Sequence, residues 1–213
     1  MLETIRDVHA ARKWYQSHGE GQYQAGSLDT YDHAAQLLTQ REAFADALLQ
    51  HIGDEPGRTL EMAAGTGLIS LRLSKSIPGA IYTEFEGQAV NTLNERLGNE
   101  TVAQADFYRQ PFADKSFDTV ITVGGYRYVE PERRNEFWSE LDRITQPDGR
   151  VFIAQFYPRG SQIQGNDIGK DLPNIGSQFT LENIKTFDAK IPVLGKMKVR
   201  SGTYRSYAFR HTG

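Results

Sequence analysis

Three carboxylates stand where a ligand-binding sheet would want them, beside a turn rich in small residues. In Glu61-Met62-Ala63-Ala64-Gly65-Thr66-Gly67 an acid precedes a tight loop. Gly65 and Gly67 allow a sharp turn and a close approach of backbone to a ligand, and Ala63 is small enough for a turn at negative φ. A carboxylate at this place repels a pyrophosphate but attracts an ammonium or sulfonium group. Glu84 follows Gly67 by 17 residues, near the spacing of ~20 at which an acid meets ribose hydroxyls. Its two oxygens can accept two hydroxyl bonds at once, and Glu86 is the neighbouring alternative. Asp106-Phe107 pairs an acceptor for an exocyclic amine with an aromatic face for a flat ring.

Other chemistries lack their residues. No Gly-Lys-Ser/Thr follows the turn, so a Walker loop is excluded, and Ser70 stands where a dinucleotide fingerprint has its third glycine. The 213 residues contain no cysteine, which removes disulfides, thiolate nucleophiles and the usual structural zinc sites. The five histidines are scattered and no metal site is expected. No apolar run reaches membrane-spanning length. The N-terminal MLETIRDVHAARKW lacks the apolar segment of a signal peptide, so a cytoplasmic protein is expected. The net charge of −3 is uneven: residues 151–213 hold nine Lys/Arg and four Asp/Glu, a local +5, and leave −8 on residues 1–150. A basic C-terminal quarter can face an anionic partner or simply be a solvated surface.

The elements that must hold these acids follow from periodicity. A helical apolar period runs over 29–52 through Phe44/Ala45, Leu48/Leu49 and Ile52. From residue 58 strands and helices alternate. RTLEMA, AIYTEF, TVAQA, SFDTVITV and RVFIAQFY read as strands. The stretches near 67–76, 87–98 and 131–145 read as helices, the last with Pro131 in its first turn and a Phe137, Trp138, Leu141, Ile144 stripe. Pro147-Asp148-Gly149 reads as a turn. This order predicts a doubly wound, mostly parallel sheet. After a Gly/Pro-rich loop over 158–178, TLENIKTF reads as a short helix capped by Thr180. The runs near 189–194 and 203–210 read as a C-terminal antiparallel hairpin. The predicted organisation is one domain: a helical cap over 1–52, a cofactor-binding core over 58–157, and a loop, short helix and hairpin over 158–213.

The acids at three consecutive strand ends, LEMAAGTG, PFADKSFDTVITV and ELDRITQPDGRVFI together resemble the class I S-adenosylmethionine-dependent methyltransferases from about Tyr31 to Tyr157. Ala63 departs from that family's first glycine, and Glu61 replaces the commoner aspartate. The resemblance implies a Rossmann-like seven-stranded sheet, S-adenosyl-L-methionine as cofactor, and roles by position. Glu61, Ala63, Gly65 and Gly67 would hold its methionine part. Glu84 would take the ribose hydroxyls. Asp106 would meet the adenine amine, with Phe107 beside the ring. Thr122 and Val123 would end the fourth strand against the cofactor, and Tyr31 would lie close to it.

On the acceptor side stands Gly124-Gly125-Tyr126-Arg127-Tyr128, without the Asn/Asp-Pro-Pro-aromatic motif of nucleic-acid amine methylation. Tyr126 and Tyr128 are expected to shape the acceptor site, His33 to act as a base, and Arg127 to hold an anionic substrate group. The loops over 16–28 and 158–178 are expected to close over both ligands. The leading expectation is methyl transfer to the oxygen or nitrogen of a small molecule. A protein or RNA methyltransferase and a binding domain without catalysis are the alternatives.

Overall fold

The structure, a computed structural model, describes residues 40–98, 101–160, 167–194 and 197–213. Tyr31, His33, the 16–28 loop and the first part of the 29–52 helix lie outside the described residues. Helix α1 (Arg41–Ile52) begins after Gln40, whose φ of 55° turns the chain just before it. The core then alternates β1 (Thr59–Met62), α2 (Ser70–Ser76), β2 (Ile81–Glu84), α3 (Gly87–Leu97), β3 (Val102–Gln104), β4 (Phe117–Val123) and α4 (Arg134–Ile144). It ends in β5 (Thr145–Pro158), the one-turn α5 (Ile168–Asp171), β6 (Phe179–Leu194) and β7 (Met197–His211).

The strands form one seven-stranded sheet in the order β3-β2-β1-β4-β5-β7-β6. The first five pair in parallel, and β7 enters antiparallel between β5 and β6. Strand order reverses beside β1, so the carboxyl ends of β1 and β4 open a crevice there. β1 is buried along its whole length, as expected of a central parallel strand. Side chains of β5 alternate between faces. Phe152, Ala154 and Phe156 pack with α1, α2 and α3. Val151 and Ile153 pack on the other face, where Phe137, Trp138, Leu141 and Ile144 of α4 supply the expected stripe.

Two expectations need correction. TLENIKTF is not a helix, and Thr180 is not a cap: the segment is the first half of β6, paired with β7 from Phe179↔His211 onward. Its Leu181, Ile184 and Phe187 fit a helical spacing, but ladder bonds to β7 outweigh that local preference. A register shift between Leu181 and Asn183 blurs the period-2 pattern that would have marked a strand. The Pro147–Gly149 turn does not precede the fifth strand either. It bulges out within β5, between the pairs Phe117↔Thr145 and Thr119↔Arg150, with Asp148 at φ 61°.

The loop over 158–178 is more structured than its composition implies. Residues 161–166 lie outside the described residues. Beyond them Asp167 caps α5 through the Gly169 N–H. The Tyr157 hydroxyl donates to Asp167 at 2.7 Å, and the Ile168 N–H donates to Gln155. These bonds hold the end of the loop against the sheet.

Candidate functional site

The crevice is a cleft of about 410 Å³ whose walls come from the carboxyl ends of β1 to β4. That volume is in the range that accommodates a cofactor-sized ligand. β1 contributes Glu61 and the turn after it. In that turn Ala63, Gly65 and Gly67 adopt φ of 54°, 61° and 87°. Every second residue is left-handed, which lets the chain fold back without closing the cleft. Ala63 therefore does not sit at negative φ. An alanine in this region costs about 1–2 kcal/mol, of which the greater chain entropy of glycine returns about half. Ala63→Gly is expected to raise the thermal midpoint by about 2 °C, read by calorimetry. Gly67 is not on the cleft wall. A Cβ there would meet Leu93 Cδ1 at 2.6 Å, so Gly67 lets the turn pack on α3.

Glu61 is 2% exposed and lines the cleft. Ser70 Oγ donates to its Oε2 at 2.7 Å. Burial pushes its carboxyl up to about 8, although the Ser70 bond and the Arg41 charge pull the other way. Glu84, at the end of β2, is 8% exposed. Its Oε2 accepts the Gly65 N–H at 2.8 Å, and its Oε1 accepts the Phe85 and Glu86 N–H groups at 2.9 Å. One carboxylate thus ties the β1 turn to the end of β2. Glu86 is exposed at the cleft rim, so of the two acids Glu84 is the inner one.

Asp106 follows β3. Its Oδ1 accepts the Tyr108 N–H at 3.0 Å, and Phe107 packs edge-on against Tyr108 and Phe137 on the cleft wall. The Tyr108 hydroxyl accepts the Glu130 N–H at 2.7 Å, and the Arg133 guanidinium lies over its ring at 3.6 Å. The chain after β4 is thereby fastened to the chain after β3.

The end of β4 separates the expected residues. Val123 and Tyr128 line the cleft, and Tyr128 is 48% exposed. Thr122 is buried behind the wall, packed against Gly125. Tyr126 is 0% exposed and donates to Asp171 Oδ2 at 3.1 Å. Burial and the Asp171 charge raise its phenol far above the ordinary range. The structure therefore places Tyr126 in the core rather than beside the cleft. Arg127 also leaves the wall, with its charge near the Tyr128 and Tyr204 phenols. Five polar or aromatic wall residues had no role assigned from the sequence: Arg41, Phe85, Tyr108, Glu130 and Arg133. Phe85 and Tyr108 carried a signal, since each is an aromatic just past a strand-end acid.

The arrangement fits a cationic adenosine derivative. Five carboxylates and two guanidinium groups line the walls. Among the described residues no cluster could hold a metal ion. Residues 60–153 match the methyltransferase domain family. Over this region the chain resembles the class I, S-adenosylmethionine-dependent methyltransferases. A demethylmenaquinone methyltransferase from Beutenbergia cavernae is 36% identical over 111 residues, 52% of this chain and 45% of that one. A ubiquinone/menaquinone biosynthesis C-methyltransferase, UbiE, from Geotalea daltonii is 31% identical over 114 residues, 47% of this chain and 46% of that one. The matched part is thus about half the length of either relative. The solved TehB-like methyltransferase from Corynebacterium glutamicum shares the fold with a TM-score of 0.55 over 97% of this chain and 98% of that one, at 16% identity. The chain has the expected doubly wound core and closing hairpin, and the matched region spans all but the outermost pairs of the parallel part of the sheet.

Proposed function

We propose that the chain catalyses methyl transfer from S-adenosylmethionine to a small aromatic acceptor. The observation that carries this reading is the buried Glu84 beside the left-handed β1 turn, with Asp106-Phe107 on the same cleft. Glu84 would hold the ribose hydroxyls, Asp106 the adenine amine, Phe107 the ring, and Glu61 with Gly65 the methionine part. When bound, the cofactor supplies a methyl group already activated on a sulfonium. The protein's work is to position, desolvate and, where the acceptor needs it, remove a proton. Val123, Gly124 and Gly125 form the inner wall, and Tyr128 stands where an acceptor would enter. Both relatives are named for quinone-type acceptors, and one for transfer to carbon. Together with exposed Phe85 and Tyr128 on the rim, this favours carbon of a hydroxylated aromatic ring over an isolated oxygen or nitrogen. Ionising the ring hydroxyl makes the neighbouring carbon nucleophilic, and the ring proton leaves after the methyl arrives.

A protein or RNA acceptor has less support. Of the basic tail's arginines, Arg205 lies over Tyr157 at 4.5 Å and Arg210 pairs with Glu182 at 2.7 Å. Among the described residues no helix is long and apolar enough to cross a membrane. Thermal unfolding with S-adenosylmethionine, its demethylated product and NADH tests the cofactor. At 100 times the dissociation constant the first two are expected to raise the midpoint by about 5–10 °C and NADH by none. A labelled-methyl assay with demethylnaphthoquinol then tests the acceptor, and label on an oxygen would refute transfer to carbon.

A further inference from the structure

We propose that Asp171 is the positioning residue for the acceptor side of the cleft: its buried carboxylate holds both ends of the wall segment over residues 125–134. This rests on the methyl-transfer reading above and deepens it, by assigning the side chains that set where an acceptor meets the methyl group.

The wall after β4 is not a regular element. The chain runs through the 3-10 turn Gly125–Tyr128, an extended pair and a second 3-10 turn, Pro131–Arg133, before α4 begins. This stretch puts Gly125, Tyr128, Glu130 and Arg133 on the cleft. Short 3-10 turns have poor hydrogen-bond geometry of their own, so their position depends on what anchors them. Both ends meet Asp171. At the first, the fully buried Tyr126 donates its hydroxyl to Asp171 Oδ2 at 3.1 Å. At the second, Arg134 Nη2 stands 3.3 Å from the same oxygen. The middle is fastened separately, by the Glu130 N–H on the Tyr108 hydroxyl. Asp171, Tyr126 and Arg134 all stand off the cleft wall. They act on a ligand through the wall rather than by touching it.

Asp171 is a fixed point because its own segment is tied to the sheet. Asp167 caps α5 and accepts the Tyr157 hydroxyl, while Ile168 is fully buried and its N–H donates to Gln155 of β5. A carboxylate suits this junction. It accepts from the phenol and balances the guanidinium at once, whereas an amide does only the first. With the carboxylate gone, a buried phenol and a partly buried guanidinium each lose a partner, so both ends of the wall loosen together.

The effects on the two ligands separate. The proposed cofactor contacts come from the ends of β1 to β3, where Glu61, Glu84 and Asp106 are fixed by other bonds. Tyr128, at the acceptor entrance, shares its turn with Tyr126. A reacting group misplaced by about 1 Å loses up to about a hundredfold in rate even when both ligands still bind.

Backbone hydrogen exchange on the ligand-free full chain reads the wall directly. In Tyr126→Phe the ring keeps its packing on Phe137 and Trp138 and loses only the hydroxyl. The Val129 N–H, which donates to Tyr126 O at 3.1 Å, is expected to exchange about tenfold faster than in the wild type, with β1 and α3 unchanged. Asp171→Asn keeps an acceptor for Tyr126 and loses the charge facing Arg134. Its Val129 N–H is expected to hold the wild-type rate, while the Arg133 N–H, bonded to Glu130 O, speeds up instead. Both variants are then assayed with labelled S-adenosylmethionine and demethylnaphthoquinol. Tyr126→Phe is expected to lower transfer about tenfold at an unchanged cofactor dissociation constant, and Asp171→Asn to retain most of the activity. Wild-type exchange over 125–133 in Tyr126→Phe overturns the inference. So does faster exchange spread evenly over the sheet, or a cofactor affinity that falls in step with transfer. A wild type that binds no cofactor or moves no methyl to the quinol overturns the function proposed above instead, and the exchange pattern still decides what Asp171 holds.

Discussion

Glu84→Ala is expected to abolish the thermal shift produced by S-adenosylmethionine and to lower the midpoint of the free protein by about 5–10 °C. Two effects act together. The carboxylate would be the anchor for the ribose, so its removal takes away charge-assisted bonds worth about 1.5–3 kcal/mol each. It also holds the ligand-free site in shape, accepting N–H groups from Gly65, Phe85 and Glu86. The Gly65 N–H is buried, and leaving it without an acceptor costs about 1–3 kcal/mol. Phe85 is 63% exposed and Glu86 is exposed, so their N–H groups recover water and cost less. The sum is about 3 kcal/mol, with each kcal/mol moving the midpoint by about 2–4 °C in a domain of this size. Glu86→Ala serves as the control, since that side chain stands at the rim, and its ligand response is expected to match wild type. A Glu84→Ala protein that still shifts fully with the cofactor would remove Glu84 from the site.

The placement of Glu84 shows which parts of the molecule were legible in the sequence. β1, β2 and β4 are buried between helical layers, and their runs of apolar and β-branched residues reflect that. Once the strands were located, the acids at their ends were located too. The two faces of a turn were not legible. Tyr126 and Tyr128 are two residues apart in one short 3-10 turn, Gly125–Tyr128. At three residues per turn such a pair points in different directions. Only the packing against Phe137 and Asp171 decides that Tyr126 goes inward. Ala63 was misjudged for a related reason. A small side chain is compatible with either sign of φ, and the left-handed choice comes from the path between β1 and α2, which composition does not encode. The edge strand β6 was half hidden, because its outer face is solvated and its ladder shifts register. Arg41 and Arg133 had no sequence signal, since an arginine on a helix is ordinarily a solvated residue.

The close approach of β1 to β4 leads to the second large effect, at Gly125. A Cβ on Gly125 would run into Thr122 Oγ1 and stand 2.8 Å from the Ala63 Cβ. Neither neighbour can retreat easily. Thr122 is buried in the fourth strand, and Ala63 is held in a left-handed turn. Gly125→Ala must therefore push the turn that follows β4 outward, and that turn carries Gly124, Gly125 and Tyr128 on the cleft wall. Overpacking of this kind costs about 1–3 kcal/mol, and a displaced wall would misplace any bound methyl donor relative to the acceptor. The expected result is a midpoint lowered by about 3–9 °C and a cofactor shift reduced to less than half. Thr122→Ala removes the nearer obstacle without touching the wall itself. Combined with Gly125→Ala it is expected to recover part of the loss, giving a coupling of about 0.5–3 kcal/mol in a double-mutant cycle. Additive losses would mean that Gly125 is needed for its backbone freedom rather than for the contact, and the tight seam between β1 and β4 would then have no part in shaping the cleft.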